Sequence, residues 1–274
     1  KTKRIDTKKV SKKPKENTNK NQKEKRNQKQ NIQSAKNEMQ NKNKSTRRTK
    51  RNSKNGFEEV RMKKSPLKII PLGGLLEIGK NITVFEYEDE IIIVDCGLAF
   101  PTEDMLGVDL VVADTTYLER NKDKIKGLVI THGHEDHIGG IPYLLRQVNV
   151  PIYATRFTLG LLRNKLDEHR LLKSTKMYEV NQGEIVNFGK FKVEFIRTSH
   201  SIPDAVAFAI ETPIGTVVHT GDFKIDYTPI DGQKINFGRF AEIGEKGVML
   251  LMSDSTNAER KGFTKSESSI GEVL

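Results

Sequence analysis

Three imidazoles and an aspartate carboxylate fall within six consecutive residues of this 274-residue chain, after a short apolar run. Imidazole and carboxylate groups suit Zn²⁺, Mn²⁺ or iron, and this stretch contains no cysteine thiolate. The alternative is a polar surface loop whose histidines only make hydrogen bonds, but so many donors behind an apolar strand favour a metal site. The four candidates are His132, His134, Asp136 and His137.

Further ligand-type residues stand where other apolar runs end. Asp95 follows EIIIV, His200 follows FKVEFIRTS, and Asp222 follows VVHTG. Each alone would be a turn residue or a partly buried polar group, but the ends of neighbouring strands meet at one edge of a sheet. We therefore expect these side chains to join the cluster. His219, inside its strand, is expected to be a core or supporting residue, and His169 a residue on a helix face.

These residues are sufficient for most of a two-metal site. Two ions would hold a water between them, lower its pKa towards neutrality and stabilise a phosphoryl group under in-line attack. Asp95 is expected to orient a ligand or the water rather than to bind metal. The second ion is one ligand short, so a further ligand is expected beyond residue 274. The predicted sets are His132, His134 and His200 for one ion, Asp136 and His137 for the other, and Asp222 between them.

Charge separates the chain into a tail and a body. Residues 1–64 hold 24 Lys and Arg against 6 Asp and Glu, whereas residues 65–274 hold 23 against 30. The tail has too few apolar residues to offset its ordering entropy, which excludes a folded domain there. It is expected to bind RNA or ribosomes through its charge, with a solubilising extension or a targeting segment as alternatives. The candidate RNA contacts are Arg47, Arg48, Lys50 and Arg51.

Composition also excludes several classes of protein. No run of 18 apolar residues occurs, which excludes a membrane-spanning helix and leaves no membrane partner expected. A single cysteine, Cys96, excludes a disulfide framework and fits a reducing, cytoplasmic location. The glycines at 73, 74 and 79 do not form the GxGxxG pattern of a dinucleotide site.

Short apolar strands dominate the body, and helices fall between some of them. Strands outnumber helices, with hairpin-like pairs at both ends of the body, so we predict an α/β sandwich of two sheets with helices outside rather than a doubly wound parallel sheet. Strands are predicted at 67–72, 82–87, 90–94, 126–131, 150–154, 191–197, 205–212, 216–220 and 249–252, and helices begin near 141 and span 158–172.

Four segments carry a resemblance to a known family. ITHGHEDHIGGIPYLLR (130–146) resembles the metal-binding motif of the metallo-β-lactamase superfamily. LGGLLEIGKN (72–81), HTGDFKID (219–226) and SDSTNAERKGFTKSE (253–267) are similar to bacterial ribonuclease J of the β-CASP group. The resemblance implies a metallo-β-lactamase αββα sandwich preceded by a disordered basic tail. It divides the chain into the tail at 1–64, an incomplete metallo-β-lactamase domain at 65–265, and the start of an inserted β-CASP domain at 266–274.

The resemblance also implies a chemistry. RNA would be hydrolysed at two zinc ions by a 5′-to-3′ exonuclease with endonuclease activity, in rRNA maturation and mRNA decay. Gly107 and Asp109 match a structural calcium site, and Asp254 matches a residue that supports the metal site. The implied zinc ligands are His132, His134, Asp136, His137, His200 and Asp222, with Asp136, His137 and Asp222 as catalytic residues.

One residue departs from the pattern of that family. Leu76 stands where the family has glycine in its GGLGEIG segment. If the backbone has a positive φ at this point, a leucine there costs roughly 1 kcal/mol or more. The departure bears on the local shape of the loop and not on the metal ligands.

Two other functions remain open from the sequence. One is a hydrolase of the same fold that acts on a thioester, lactone or β-lactam; the SDSTNAE segment and the basic tail argue against it. The other is a catalytically inactive RNA-binding scaffold, and six intact ligand candidates argue against that. The expected partners are RNA, the ribosome or other RNA-processing proteins, and further copies of the full-length chain.

Overall fold

The computed structural model describes residues 65–272, with side chains to residue 269. Residues 1–64, and with them the tail contacts predicted at Arg47, Arg48, Lys50 and Arg51, lie outside the described residues. The strands in chain order are β1 Leu67–Gly73, β2 Ile82–Tyr87, β3 Glu90–Val94, β4 Leu98–Ala99, β5 Val111–Val112, β6 Ile125–Val129, β7 Ile152–Ala154, β8 Met177–Glu179, β9 Ile185–Phe188, β10 Phe191–Arg197, β11 Val206–Thr212, β12 Gly215–His219 and β13 Leu250–Met252.

Helices occupy the connections between many of these strands. Short 3₁₀ helices span Lys122–Lys124 and Glu267–Glu272. Among the described residues, no helix is long and apolar enough to cross a membrane. The α-helices are α1 Thr116–Arg120, α2 Glu135–Ile138, α3 Ile141–Gln147, α4 Arg156–Glu168 and α5 Phe237–Lys246.

Two main sheets form the centre of the body. The first has the strand order β1-β2-β3-β6-β7-β8, in which β3, β6, β7 and β8 run parallel to one another. The second has the order β13-β12-β11-β10-β9 and is antiparallel except for the parallel pair β12 and β13. The strands β4 and β5 form a separate two-stranded ribbon.

Three apolar layers hold the sheets and helices together. Between the sheets, Phe85 and Val129 of the first pack with Phe195 and Phe208 of the second. The side chains of alternate strand residues point to opposite faces, so the other face of the first sheet is free to pack against helices. There, Ile93 packs with Leu144 of α3 and Leu162 of α4, among others.

The outer face of the second sheet is covered by one helix. Ile243 of α5 packs against Ala207 and Val218 in a smaller cluster, with Phe240 at its margin. The layer order is therefore helix, sheet, sheet, helix. The αββα sandwich predicted from the sequence is confirmed.

Most predicted elements are present, and the unpredicted ones are short or largely exposed. The strands at 82–87, 90–94 and 191–197 and the helix beginning at 141 have the expected bounds, while the predicted helix at 158–172 runs instead from Arg156 to Glu168. The elements that were not predicted are β4, β5, β8, β9, α1, α2 and α5. Most of them are five residues long or shorter, and the longer α5 buries only Ile243.

Candidate metal centre

The chain folds so that the donors predicted at strand ends lie at one edge of the sandwich. β3 and β6 are parallel neighbours, so Asp95 and His132 follow them at the same edge. β10 and β12 both run antiparallel to β11, so the loops after them, which carry His200 and Asp222, also leave the second sheet at one edge. The two sheets thus each contribute two of these loops.

Three histidines from two of the loops form the first group of donors. His132 Nε2 lies 3.1 Å from His134 Nδ1, and His200 Nε2 lies 3.2 Å from the same His134 nitrogen. Zinc bonds to imidazole nitrogen of 2.0–2.1 Å in tetrahedral geometry imply a nitrogen-to-nitrogen separation of about 3.3 Å. The spacing and chemistry of these three imidazoles therefore fit a zinc ion.

A second group forms around His137. Its Nε2 lies 3.4 Å from Asp222 Oδ1 and 3.5 Å from Asp136 Oδ2. The other oxygen of Asp222, Oδ2, lies 3.7 Å from His200 Nε2, so this carboxylate faces both groups. The donor atoms of His132, His137 and Asp222 all lie within 4.8 Å of one another. His132 is thus close to both groups, whereas the sequence analysis had assigned it to the first alone.

Asp95 and Thr131 position the imidazole of His137 from the side of its Nδ1 nitrogen, away from the other donors. Asp95 Oδ2 accepts from Nδ1 of His137 at 2.8 Å and from the Thr131 hydroxyl at 2.8 Å. Asp95 Oδ1 accepts from the backbone N–H of Thr131 at 2.8 Å. The contact with Nδ1 leaves Nε2 of His137 as the nitrogen that faces the donors, which is the usual way in which a carboxylate orients a metal-binding histidine.

Asn81 positions Asp136, a role that was not predicted from the sequence. The side-chain amide of Asn81 donates to Asp136 Oδ2 and to the Asp136 carbonyl, both at 3.1 Å, and lies 3.1 Å from His137 Nε2. The backbone of Gly97 packs so closely here that a Cβ on it would lie 1.5 Å from the carbonyl oxygen of Asp136. The only signal for Asn81 in the sequence is a polar residue just before a buried strand.

Burial and nearby charge set the protonation of the site. Burial opposes a charge on His137, but the Asp95 carboxylate, with hydrogen bonds to Asp136 and Asp222, raises the pKa of His137 well above its ordinary value. Burial, reinforced by the neighbouring histidines, lowers the pKa of His132. Burial opposes ionisation of Asp222, yet the hydrogen bond to His137 lowers its pKa. The environment thus favours a protonated, positively charged His137 among the carboxylates and a neutral His132.

The other predicted residues lie at different distances from this cluster. Asp254 is partly buried, its backbone N–H donates to the Thr220 hydroxyl, and its charge acts on His200. His219 accepts from the Gly221 backbone N–H at 3.2 Å, and so supports the turn before Asp222. His169 ends α4 and contacts Arg146, away from the donors.

The residues matched to a calcium site lie in an exposed loop. Gly107 has φ 79° and Asp109 is exposed. Among the described residues, neither belongs to a group of three or more donors that could hold a metal. Calcium at this loop stays a prediction.

Leu76 has the backbone conformation that glycine would favour. Its φ is 59° and its side chain is fully exposed, so no packing offsets the cost of roughly 1 kcal/mol for a leucine in this region. The loop keeps the left-handed turn at this position with a leucine in it.

Comparison with known proteins agrees with the fold. The sequence model of the metallo-beta-lactamase superfamily matches residues 77–250. The chain is 59% identical over 206 residues to ribonuclease J of Synechocystis sp., covering 74% of this chain and 32% of that protein. It is 46% identical over 208 residues to ribonuclease J2 of Bacillus subtilis, covering 76% of this chain and 38% of that protein. The chain spans about a third of the length of these curated relatives.

A solved structure shares the fold at low sequence identity. A protein of unknown function from Enterococcus faecalis superposes with a TM-score of 0.54 at 19% identity, over 74% of this chain and 53% of that one. This similarity bears on the fold alone.

Proposed function

The chain belongs to the metallo-β-lactamase superfamily, and from that premise we propose that it is the metal-binding part of a ribonuclease that hydrolyses RNA phosphodiester bonds. The relatives named ribonuclease J support RNA as the substrate. The observation that carries the proposal is the convergence of four histidines and two aspartates from three loops on one edge of the sandwich.

We assign the metal as zinc, held as a pair. His132, His134 and His200 would hold one ion, Asp136 and His137 the other, and Asp222 both, because its two oxygens face the two groups. Bound zinc stabilises charge on a phosphoryl group and helps water to lose a proton. The absence of cysteine from the donor set and the short separations between imidazole nitrogens support zinc over softer or larger ions.

The chain's own residues prepare this site. Asp95 and Thr131 fix the ring of His137, so that Nε2 faces the donors before any ligand arrives. Asn81 holds Asp136 by its side-chain amide. We assign catalytic roles to Asp136, His137 and Asp222 as ligands, because the ions that they would hold supply the chemistry of hydrolysis. Asp254 would support His200 through its charge.

The same proposal extends to the mode of RNA cleavage and its role in the cell. Ribonuclease J-type chemistry would be 5′-to-3′ exonucleolytic with endonuclease activity, and would serve rRNA maturation and mRNA decay in the cytoplasm. Support comes from the names of the relatives and from the segments at 72–81, 219–226 and 253–267. The start of a β-CASP domain near residue 266, assembly of the full-length protein with further copies of itself, and calcium at Gly107 and Asp109 belong to this extension.

The basic tail would supply the electrostatic attraction for RNA. Residues 65–274 carry a net negative charge, so within these 274 residues the long-range attraction of a polyanion would come from residues 1–64. Deleting residues 1–56 should flatten the salt dependence of RNA affinity without removing cleavage, because fewer counterions are released. Equal salt slopes with and without the tail would favour a solubilising role. Ribosomes and RNA-processing proteins are further candidate partners.

The test is cleavage of a labelled RNA by the full-length protein, with zinc, with a chelator, and with zinc restored. The proposal expects cleavage that is lost on chelation and recovered with zinc. A parallel panel of thioester, lactone and β-lactam substrates serves as the control. Activity on that panel with none on RNA would contradict the proposal, and so would RNA binding without any cleavage.

A further inference from the structure

A cleft of about 410 Å³ opens beside the candidate metal centre and is lined by none of its donors. Its walls are formed by the start of α4 and by the loop that follows His200. A volume in this range suits a small organic ligand or one unit of a polymer. The lining residues are Arg156, Phe157, Gly160, Leu161 and Asp204.

One wall of the cleft contacts the loop that carries two candidate metal ligands. Leu161 packs so closely on Gly133 that a Cβ there would lie 2.6 Å from Leu161 Cδ1. Gly133 separates His132 from His134 in the chain. A ligand in the cleft would therefore lie next to the donor cluster.

The cleft presents aromatic and cationic groups that are free to bind a ligand. The side chain of Phe157 is 40% exposed, and Gly160, one turn further on, leaves open space where a side chain would stand. Arg156 is exposed, and its side chain makes no hydrogen bond or ion pair with any residue that the structure describes. Proteins that bind single-stranded RNA commonly contact a phosphate with a basic side chain such as arginine and stack a base on an exposed aromatic ring.

Asp204 adds an acceptor to the same cleft. Its Oδ2 accepts from the backbone N–H of Phe157 at 3.2 Å, which fixes the carboxylate at the start of α4. Its other oxygen has no hydrogen-bond partner among residues 65–272. A carboxylate disfavours a bare phosphate as occupant, but it accepts well from the amino group of a base such as cytosine.

We propose that this cleft is a nucleotide subsite, in which a base of single-stranded RNA stacks on Phe157, its phosphate pairs with Arg156, and an amino group of the base donates to Asp204. The assignment rests on the proposed hydrolysis of RNA and adds to it the residues that hold a nucleotide next to the metal centre. Stacking tolerates every base because each has a π face. The preference for a base with an amino group comes from Asp204.

The experiment measures binding of a short labelled oligoribonucleotide and of copies in which a single abasic ribose replaces each nucleotide in turn. The salt is set high enough to suppress binding by the tail. With the wild-type chain, one abasic position is expected to weaken binding roughly 5- to 150-fold, the range for loss of one stacked base. Phe157→Ala should remove the penalty at that position, and Phe157→Trp should restore it.

Matched variants separate this subsite from general effects. Phe237, at the start of α5, is 42% exposed, so Phe237→Ala removes a similar ring and should leave the abasic profile unchanged. Arg156→Ala should lower the slope of log affinity against log salt by about 0.7, the contribution of one phosphate contact on a single strand. This second variant keeps the test decisive if Phe157→Ala folds poorly.

The outcomes distinguish the two proposals. If wild-type protein cleaves RNA but its abasic profile is the same as that of Phe157→Ala, or Arg156→Ala keeps the wild-type salt slope, the subsite is wrong and the ribonuclease proposal stands. If wild-type protein supplied with zinc neither binds nor cleaves RNA, the proposed function fails and the subsite fails with it.

Discussion

Two carboxylates on adjacent parts of the first sheet are equally buried and have different surroundings. Glu86 on β2 and Asp95 just after β3 are each 1% exposed. Glu86 accepts from Lys68 at 3.2 Å, from Lys124 at 3.0 Å and from the Tyr117 hydroxyl. Asp95 instead accepts from Thr131 and from His137, whose far nitrogen faces further donors.

The difference shows which kind of buried carboxylate indicates a binding site. The negative charge of Glu86 is compensated within the chain, because Lys68 and Lys124 form ion pairs with it. Both lysines stay partly in solvent, with 55% and 35% of their side chains exposed. The carboxylates around His137 are not matched by lysine or arginine among the described residues, and a cation is the natural complement. Burial alone would not distinguish Glu86 from Asp95. The difference is that Glu86 pairs with lysines, whereas Asp95 pairs with a histidine that faces further metal-ligand candidates.

The largest expected effect follows from His134, whose Nδ1 lies within 3.2 Å of nitrogens from both His132 and His200. His134→Ala should lower zinc content and reduce RNA cleavage by roughly three orders of magnitude or more, because the first group loses its central donor. Metal analysis and single-turnover cleavage would measure both, while the melting temperature should change little. His169→Ala removes a partly exposed histidine outside the cluster and serves as the control. Unchanged cleavage by His134→Ala would refute its role.

A smaller effect is expected at Asp95, whose φ of 59° asparagine also tolerates. In Asp95→Asn the side-chain oxygen can still accept from the Thr131 N–H, but an amide nitrogen can face His137 Nδ1 and disfavour the tautomer that metal binding needs. Loss of such a supporting carboxylate typically weakens metal binding about 10- to 100-fold. A competition titration with a zinc chelator would measure it. An unchanged zinc affinity would show that Asp95 resembles Glu86 after all.

For Glu86 the expected effect is on stability and not on metal binding. Glu86→Gln should lower the free energy of unfolding by about 1–3 kcal/mol, the range for buried hydrogen bonds to a charged group, and leave zinc affinity unchanged. Glu242, whose side chain is 63% exposed in its pair with Arg239, offers a matched control. Glu242→Gln should change stability by less than about 0.5 kcal/mol. Denaturant unfolding with and without zinc would measure both variants. Weaker zinc binding in Glu86→Gln would remove the distinction between the two carboxylates.

The donors at the strand ends could be predicted because their signal is local. His132, Asp95 and Asp222 each follow a short apolar run directly, and neighbouring strands bring such positions to one edge whatever their distance in the chain. The positions of most longer strands also followed from local features, since alternation and β-branched runs mark strands. What these signals cannot specify is which donors share a metal, as the position of His132 beside both groups demonstrates.

Contacts between distant residues were beyond the sequence analysis. Asn81 meets Asp136 across 55 positions, and Glu86 meets Lys124 across 38, with no periodicity to connect them. The helix α5 was missed for another reason: most of its residues are exposed, so its apolar pattern is weak in the sequence. A positioning residue that does not stand at a strand end, such as Asn81, is therefore found only once the fold is known.

The smallest expected effect is on the stability of the protein at acidic pH. It separates the contribution of the Glu86 charge from that of its packing. Burial opposes ionisation of Glu86, but hydrogen bonds from Tyr117, Lys124 and Lys68 outweigh it and lower its pKa below the ordinary 4.5. A carboxylate with a lowered folded pKa contributes stability above its unfolded pKa and loses it as pH falls through the folded value. The stability gap between wild type and Glu86→Gln should thus be constant near neutrality and narrow as pH falls below about 5. Chemical denaturation at a series of pH values would measure this gap. The gap for Glu242→Gln should stay near zero throughout. A wild-type advantage that persists unchanged in acid would mean that Glu86 stabilises the sheet by packing and not by charge.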